Sequence, residues 1–412
     1  MRTQLLTLLQ LAGLAAAWMP RDRNYFKRDE NTLTDGLRSF KNRRQIAPQE
    51  IRGVNLGGLF IVEPWMASTA WNTIGCADQK SEFDCVVKLG QERANQAFAD
   101  HWSTWITASD LDLMKSYGLN TIRVPIGYWI KEDVVYKDSE HFPQGALTHL
   151  ETLCGWASDR NMYIILDLHG APGAQDKQQA FTGQYSQSAG FYVDWQYQRA
   201  YDVLHWLTNI VHTNSAFRGV GSIEVLNEPQ QDGGASTLTS HYYPGAMNAI
   251  RSAESALGIQ PANGLHVMMM DGKWGAGDPN SNMKNQLTNA AYDNHRYIKW
   301  DSSVAATPEA YLRASCHDNV SGNWPLVVGE WSLSVGDSVQ WSAAFDLNAQ
   351  KQWYKRWWAA QVMAYEKQDG WVFWNWKAEL GDYRWSYKDA VAAGVISKNP
   401  GDAFTMGACN GI

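Results

Sequence analysis

The sequence predicts a single (β/α)8 (TIM) barrel, because short apolar runs with strand character alternate with amphipathic helical stretches eight times after residue 50. Continuous apolar runs are typical of parallel strands buried on both faces. The strand candidates are Ile51–Gly57, Asn120–Ile126, Met162–His169, Gly221–Asn227, Leu265–Asp271, Ala290–His295, Leu326–Glu330 and Gly370–Trp374. The helical stretches between them include Ser109–Tyr117, Ala146–Arg160, Gln196–Thr213, Pro244–Leu257, Pro308–Cys316 and Lys351–Lys367. A doubly wound open sheet is the structural alternative, since periodicity alone does not show closure.

Length and composition fit a globular protein with a well-developed core. The 412 residues could hold one large barrel or two ordinary domains, and 45% of them are hydrophobic against 19% charged. A formal net charge of −7 argues against a nucleic-acid partner, whose binding surface would be basic. The 21 Trp residues are unusual and predict a heavily aromatic core, ring-stacking platforms for sugars, or both.

The N-terminus predicts export. Residues 1–17 combine a basic start, an apolar stretch and the small residues Ala15-Ala16-Ala17 at the expected cleavage site, which together are typical of a secretory signal peptide. The apolar run is too short for a membrane anchor, and no later stretch is a transmembrane candidate. Residues 18–50 are charged and read as an N-terminal arm or pro-segment, and 51–412 as the barrel. We therefore expect a secreted, extracellular protein, monomeric, with no membrane partner.

Five cysteines agree with an oxidising compartment. Cys76 and Cys85 bracket a short polar loop and are expected to pair, with Cys316 and Cys409 as the second pair. Cys154 lies on an apolar helical face, which favours a buried free thiol. Asn319-Val320-Ser321 is an acceptor sequence for one N-linked glycan.

Polar and aromatic side chains stand at nearly every predicted strand end, where barrel enzymes gather their chemistry. Stability alone does not require so many polar and aromatic side chains on one rim of a barrel. The set comprises Asn55, Arg123, His169, Asn227, Glu228, Asp271, His295, Tyr297, Glu330 and Trp374.

Two glutamates follow buried runs, one in Leu226-Asn227-Glu228-Pro229 and one in Gly329-Glu330-Trp331-Ser332. A carboxylate at such a position is costly unless the site uses it. Hydrolysis of a glycosidic bond needs a protonated acid beside the leaving oxygen and an ionised carboxylate beneath the anomeric carbon. Glu228 suits the acid/base role and Glu330 the nucleophile. A pair of salt-bridged strand-end glutamates is the structural alternative.

The remaining rim residues suit sugar binding. Asn227 can donate to the sugar 2-hydroxyl, and the buried Arg123 is expected to hold Glu330 ionised. A purely structural ion pair is the alternative for Arg123. Hydroxyl contacts are expected from His169 and His295, and Tyr297 could bond either the nucleophile or the sugar. An apolar floor is expected from Trp374, which a core position would explain nearly as well.

These residues, in this order, resemble glycoside hydrolase family 5. The resemblance covers roughly Ile51 to Glu379 and implies a barrel with acid/base and nucleophile after the fourth and seventh strands. It rests on seven motifs in register: Arg52-Gly53-Val54-Asn55-Leu56-Gly57-Gly58, Arg123-Val124-Pro125, Asp167-Leu168-His169-Gly170, Asn227-Glu228-Pro229, His295-Arg296-Tyr297, Gly329-Glu330-Trp331 and Trp374-Asn375-Trp376-Lys377. The resemblance also implies a substrate-binding role for Glu63, in Phe60-Ile61-Val62-Glu63-Pro64-Trp65.

Within that family the chain resembles the fungal β-glucanases. The strings Leu59–Met66 and Ser222–Pro229 are similar to the endo-1,6-β-glucosidase group, and the segments after Gly173 and Pro229 depart from the exo-1,3-β-glucanases. The resemblance therefore implies a retaining hydrolase of β-1,6-glucan without a cofactor. The alternatives are an exo-1,3-β-glucanase and a non-catalytic glucan-binding barrel.

Two other hydrolase classes receive little support. A metal-dependent enzyme would have to draw on His101, His169 and His295, and no His-Glu-x-x-His helix or other close ligand spacing occurs. A serine hydrolase of the nucleophile-elbow type is disfavoured because the sequence contains no Gly-x-Ser-x-Gly. We therefore expect no metal at the site.

Overall fold

A computed structural model describes residues 50–231, 235, 237–283 and 286–412. Its eight strands form one closed barrel in the order β1-β2-β3-β4-β5-β6-β7-β8. The strands are β1 Ile51–Asn55, β2 Thr121–Gly127, β3 Tyr163–Gly170, β4 Val220–Glu224, β5 His266–Met270, β6 Ala290–His295, β7 Leu326–Glu330 and β8 Gly370–Phe373. The predicted signal peptide, 1–17, and all of the predicted arm except Glu50 lie outside the described residues.

The barrel closes through parallel pairing of its first and last strands. Ile51 lies opposite Gly370 and Val54 opposite Phe373, and every other neighbouring pair is also parallel. Closure removes both sheet edges, so all strand backbones pair within the barrel. The predicted fold class is thereby confirmed, and the open-sheet alternative is wrong.

Helices cover the outside of the barrel. They are α1 Ser68–Ile74, α2 Glu82–Leu89, α3 Gln91–Thr104, α4 Ala108–Ser116, α5 Ala146–Asp159, α6 Asp194–Thr213, α7 Tyr243–Ala256, α8 Pro308–His317, α9 Lys351–Tyr365 and α10 Tyr387–Ala392. The six predicted helices end within two residues of α4 to α9. Helices α1 to α3, inserted between β1 and β2, and α10 after β8 were not predicted.

Local sequence explains where α8 begins. Thr307 is its N-cap in an extended conformation, and its hydroxyl accepts a hydrogen bond from the Ala310 N–H at 3.2 Å. Pro308 stands at the first helical position, where its missing N–H would have had no partner in the helix. The amphipathic face then packs Tyr311 and Leu312 into the core.

The barrel interior has two layers of different character. Toward the N-terminal ends of the strands lies an apolar cluster made of Ile51, Tyr163, Ile165, Met268, Ala291, Val327 and Val372. Closer to the C-terminal ends lies a fully buried charged layer, which consists of Arg123, Asp167, Glu224 and Asp293. Buried charges are costly, and this layer adds nothing to the apolar core. It therefore indicates a function at the rim above it.

Two disulfides join chain segments outside the barrel, as predicted. Cys76 pairs with Cys85 in the segment between β1 and β2, and Cys316 pairs with Cys409 across 93 residues. Cys154 is a buried free thiol on α5, also as predicted. Among the described residues, no helix has the length and apolar character that a membrane span requires.

Candidate active site

A cleft of about 1060 Å³ opens at the C-terminal ends of the strands. Seven of the nine residues for which the sequence predicted a catalytic or substrate-binding role line it, namely Glu63, His169, Glu228, His295, Tyr297, Glu330 and Trp374. The other two, Arg123 and Asn227, are buried and bonded to each other, Arg123 Nη2 to Asn227 Oδ1, at 2.8 Å. The structure therefore brings the whole predicted set to one place.

Glu228 and Glu330 face each other across a short gap. One oxygen of each carboxylate and one nitrogen of His295 all lie within 4.8 Å of one another. Glu330 is the last residue of β7, whereas Glu228 stands four residues beyond the end of β4. The Glu228 side chain is 19% exposed and that of Glu330 is 6% exposed, so both belong to the site rather than to the surface.

The backbone at Glu228 is strained. Its φ of 36° lies in the left-handed region that non-glycine residues seldom adopt. Gln175, which is fully buried, supports this segment, since its Nε2 donates to the carbonyls of His169 at 2.6 Å and Asn227 at 3.0 Å. The predicted β4 strand reached Asn227, but the ladder ends at Glu224, because the chain then turns to present Glu228 to the cleft.

Three donors surround Glu330. Arg123 Nη1 lies 3.0 Å from Oε1, the Tyr297 hydroxyl donates to Oε2 at 2.8 Å, and His295 Nδ1 lies 3.6 Å from Oε2. The pKa of Glu330 is raised to about 8, because burial and the charge on Glu228 raise it more than the charges on His295 and Arg123 and the hydrogen bond from Tyr297 lower it. The ionised form of Glu330 therefore depends on those three groups.

Arg123 has more partners than the single carboxylate that the sequence predicted. Its Nε lies 2.7 Å from Glu224, its Nη2 lies 3.1 Å from Asp167, and its Nη1 also donates to Asn55 at 2.9 Å. A guanidinium with this many carboxylates balances charges that burial would otherwise make prohibitive.

Sequence reasoning missed Asp167, Glu224 and Asp293 as parts of the site. A signal was present, because Asp167 precedes His169 by two positions and Asp293 precedes His295 by two, each within an apolar run. In a strand that spacing places both side chains on the same face. For Asp167 with His169 and for Asp293 with His295, that face is the one that lines the barrel interior.

His169 and Trp374 form the floor of the cleft. Their rings stack with centroids 5.6 Å apart and an interplanar angle of 9°. His169 Nδ1 lies 2.6 Å from Asp167, and burial together with the charge on Arg123 holds the pKa of His169 well below its ordinary value. His169 is thus a neutral ring. A Cβ at Gly57 would come within 2.9 Å of the Trp374 ring, so glycine is required beneath it.

Glu63 adds a third carboxyl to the cleft. Its Oε2 accepts a hydrogen bond from Trp65 Nε1 at 2.9 Å. The pKa of Glu63 is raised to about 8, because burial and the nearby charges of Glu330 and Glu228 outweigh the lowering effect of the Trp65 hydrogen bond. A protonated Glu63 can donate a hydrogen bond to a sugar hydroxyl.

The walls of the cleft differ. The loops after β1, β6, β7 and β8 contribute Trp65, Trp300, Trp341 and Trp385, and Trp300 and Trp341 are 63% and 71% exposed. The loops after β3, β4 and β5 contribute Phe181 and Trp274 and a larger number of polar side chains, which are Asp176, Lys177, Gln179, Gln230, Gln231 and Lys273. Exposed Trp rings are therefore concentrated on one wall, and aromatic and hydrogen-bonding groups are present on both.

The histidines of the metal-site alternative do not form one group. His101 Nε2 contacts the Gly58 carbonyl at 2.7 Å, and His101 is not among the residues that line the cleft with His169 and His295. Within the described residues, the His295 nitrogens face Glu228, Asp293 and Glu330. Arg123 also contacts Asp293 and Glu330, and Tyr297 also donates to Glu330. The group of His295 and its neighbouring carboxylates is therefore accounted for by ion pairs and hydrogen bonds.

Comparison with known proteins agrees with this geometry. Residues 86–380 match the family model described as Cellulase (glycosyl hydrolase family 5). Glucan endo-1,6-beta-glucosidase B of Emericella nidulans is 54% identical over 407 residues, which cover 98% of this chain and 99% of that protein. Probable glucan endo-1,6-beta-glucosidase B of Neosartorya fischeri is 56% identical over 394 residues, or 95% of this chain and 96% of that protein.

More distant relatives share the architecture. Probable glucan 1,3-beta-glucosidase A of Aspergillus niger is 29% identical, with 86% of this chain and 89% of that protein covered. The crystal structure of rutinosidase from Aspergillus niger superposes with a TM-score of 0.65 at 20% identity, covering 84% of this chain and 97% of that one, which supports the fold. The family match and the relatives that are more than half identical show that the chain belongs to glycosyl hydrolase family 5, as its motifs predicted.

Proposed function

We propose that this protein is a secreted, retaining endo-β-1,6-glucanase in which Glu228 is the acid/base and Glu330 the nucleophile. The observation that carries the reaction type is the short gap between the two carboxylates, with an oxygen of each within 4.8 Å of the other. Retaining glycosidases hold their carboxyl groups about 5–5.5 Å apart, whereas inverting enzymes leave about 6.5–9.5 Å for a water molecule.

In the first step, a Glu330 oxygen attacks C1 of the sugar above Trp374. The bond between C1 and the leaving oxygen breaks, and Glu228 transfers its proton to that oxygen, which in a β-1,6-glucan is O6 of the next glucose. The product is a glycosyl ester on Glu330 and a free chain end. Arg123 and Tyr297 favour the ionised form of Glu330, which is the form that attacks.

In the second step, the Glu228 carboxylate takes a proton from water, and the water oxygen attacks C1 from the face that the leaving group vacated. The ester bond to Glu330 breaks and both carboxyls return to their starting states. Two inversions at C1 give net retention. Asn227 Nδ2, which has no hydrogen-bond partner among the described side chains and backbone groups, is available for the 2-hydroxyl.

The cleft supports a polymeric substrate. Its volume of about 1060 Å³ exceeds that of most sites for small molecules, and exposed Trp rings line it together with the catalytic pair. The β-1,6 linkage is supported by relatives of 54% and 56% identity that carry the endo-1,6 name, against 29% for the 1,3-glucosidase. Export is supported by residues 1–17 and by two disulfides.

The proposal is tested by incubating the protein with pustulan, a β-1,6-glucan, and with laminarin, a β-1,3-glucan. We expect reducing ends and a ladder of oligosaccharides from pustulan, and little product from laminarin. Glucose alone from laminarin would favour the exo-1,3 alternative. Binding to either glucan without cleavage would favour the non-catalytic barrel, and both results would overturn the proposal.

A further inference from the structure

Asp293 is a buried carboxylate that touches both halves of the catalytic machinery. It is 0% exposed and lies on β6, two residues before His295. Its Oδ1 accepts a hydrogen bond from the Gly329 N–H at 2.7 Å, and its Oδ2 lies 3.4 Å from His295 Nε2. Gly329 immediately precedes Glu330, so one carboxylate contacts the backbone behind Glu330 and the imidazole beside Glu228.

The imidazole of His295 has a carboxylate at each nitrogen. Nδ1 lies 2.6 Å from Glu228 Oε1 and 3.6 Å from Glu330 Oε2, while Nε2 faces Asp293. Nδ1 is within hydrogen-bond distance of Glu228, whereas Nε2 is only within ion-pair distance of Asp293. Carboxylates on both sides of an imidazole favour its charged form. Burial opposes that charge, but the carboxylates of Glu330 and Asp293 raise the pKa of His295 well above its ordinary value.

The chain makes room for Asp293 against β7. A Cβ on Gly329 would lie 2.0 Å from Asp293 Oδ2 and 2.3 Å from Oδ1, so any larger residue would displace the carboxylate. Glycine at this position is therefore a packing requirement of the contact. The contact is built into two strands and does not depend on a mobile loop.

We propose that Asp293 is a positioning residue that keeps His295 as an imidazolium between Glu228 and Glu330 and fixes the peptide that carries Glu330. This inference rests on the proposed function for the roles of the two glutamates. The imidazolium then stabilises the ionised Glu330 before attack and the ionised Glu228 after it has lost its proton.

The other charged groups around Asp293 have different partners. Arg123 Nε lies 3.7 Å from Asp293 but 2.7 Å from Glu224, and Asp167 lies 2.6 Å from His169. Burial raises the pKa of both Asp167 and Glu224, in the case of Asp167 to about 7. For Asp293, burial is outweighed by His295, Arg123 and the Gly329 N–H, and the pKa is lowered.

Asp293 is consequently the carboxylate of the buried layer that stays ionised beside His295. Glu224, Asp167 and His169 also act on His295. From the cleft side, the titratable groups that face it are Glu228 and Glu330. Neither can hold the imidazole charged throughout catalysis, because Glu228 is protonated in one half of the cycle and Glu330 is esterified in the other. Asp293 alone keeps its charge in both halves.

The test compares Asp293→Asn with Asp369→Asn. The asparagine at 293 keeps an oxygen for the Gly329 N–H but removes the charge beside His295. Asp369 is a matched control, because it is buried and accepts the Leu326 N–H at 3.1 Å at the opposite end of β7. Each variant is measured for thermal unfolding, for the pH dependence of kcat/KM on an activated aryl β-glucoside, and for the His295 imidazole signals by NMR.

For Asp293→Asn we expect the acidic limb of kcat/KM to move up by about one pH unit, because Glu330 loses the nearby positive charge. We also expect kcat to fall about tenfold or more with a smaller change in KM. Asp369→Asn should lower the unfolding temperature without moving the limb. Equal pH profiles for both variants would show that Asp293 is merely structural and would overturn the proposal.

The NMR titration needs neither substrate nor a folded variant. In the unmodified protein, His295 should stay doubly protonated through the neutral range. Titration near the ordinary histidine value of about 6.5 would overturn the proposal even if Asp293→Asn failed to fold. Absence of glucan cleavage, with His295 still charged, would instead refute the proposed function and leave the electrostatic contact intact.

Discussion

Tyr297→Phe tests how Glu330 is kept ionised. The substitution removes the hydroxyl that donates to Glu330 Oε2 at 2.8 Å and leaves the ring in place. A hydrogen bond to a charged group contributes about 1.5–3 kcal/mol, which corresponds to about one to two pH units. Because the bond favours the ionised carboxylate, its loss raises the pKa of Glu330 further.

The sign of the effect on activity follows from the nucleophile role. Glu330 must be ionised to attack, so the acidic limb of kcat/KM should move to higher pH by about one to two units. The assay is the pH profile on an activated aryl β-glucoside. Activity at a pH well above the limb should fall less than activity below it, since alkaline conditions ionise Glu330 without the hydroxyl.

Tyr354→Phe is the matched control. Tyr354 is fully buried on α9, and its hydroxyl donates to the Phe345 carbonyl at 2.9 Å, away from the cleft. This variant should lose stability without changing the pH profile. An unshifted acidic limb in Tyr297→Phe, with the variant folded, would refute the reasoning that the hydroxyl holds Glu330 ionised.

Three further predictions address other parts of the protein. Trp341→Ala should raise KM for pustulan by about 2- to 10-fold through lost stacking, whereas Trp195→Ala, at an exposed Trp outside the cleft, should leave steady-state kinetics unchanged; equal effects would contradict an aromatic wall for glucan. Replacing Cys316 and Cys409 together with Ala should lower the free energy of unfolding in denaturant by about 2–5 kcal/mol, since the bridge spans 93 residues; an unchanged midpoint would contradict this. Glu228→Gln should reduce kcat/KM on pustulan by about 10²–10⁴-fold and much less on an aryl glucoside with a good leaving group; equal losses on both substrates would contradict the acid role.

Much of the fold could be predicted because the signals were local. The strands are continuous apolar runs, and their predicted ends lie within three residues of the observed ones. Polar residues at the run ends, such as His169 and Glu330, identified the rim before any geometry was known. Helices α1 to α3, between β1 and β2, were not predicted, because they are an insertion that the alternation of strands and helices in a barrel does not require.

The charged layer beneath the cleft could not be predicted with the same ease. Asp167, Glu224 and Asp293 sit within strands, where a carboxylate reads as an interruption of an apolar run. Only closure of the barrel brings them around Arg123, and closure is a long-range property that periodicity does not contain. The sequence therefore predicted one partner for Arg123, whereas the structure shows several.

Trapping of the covalent intermediate tests the central claim most directly. A 2-deoxy-2-fluoro-β-glucoside with a good leaving group should slow the second step more than the first, so that the glycosyl ester accumulates. Mass spectrometry of the protease digest should then find the fluoroglucosyl mass on the peptide that contains Glu330. Release of the leaving group with no labelled peptide, or a label on any residue other than Glu330, would contradict the account.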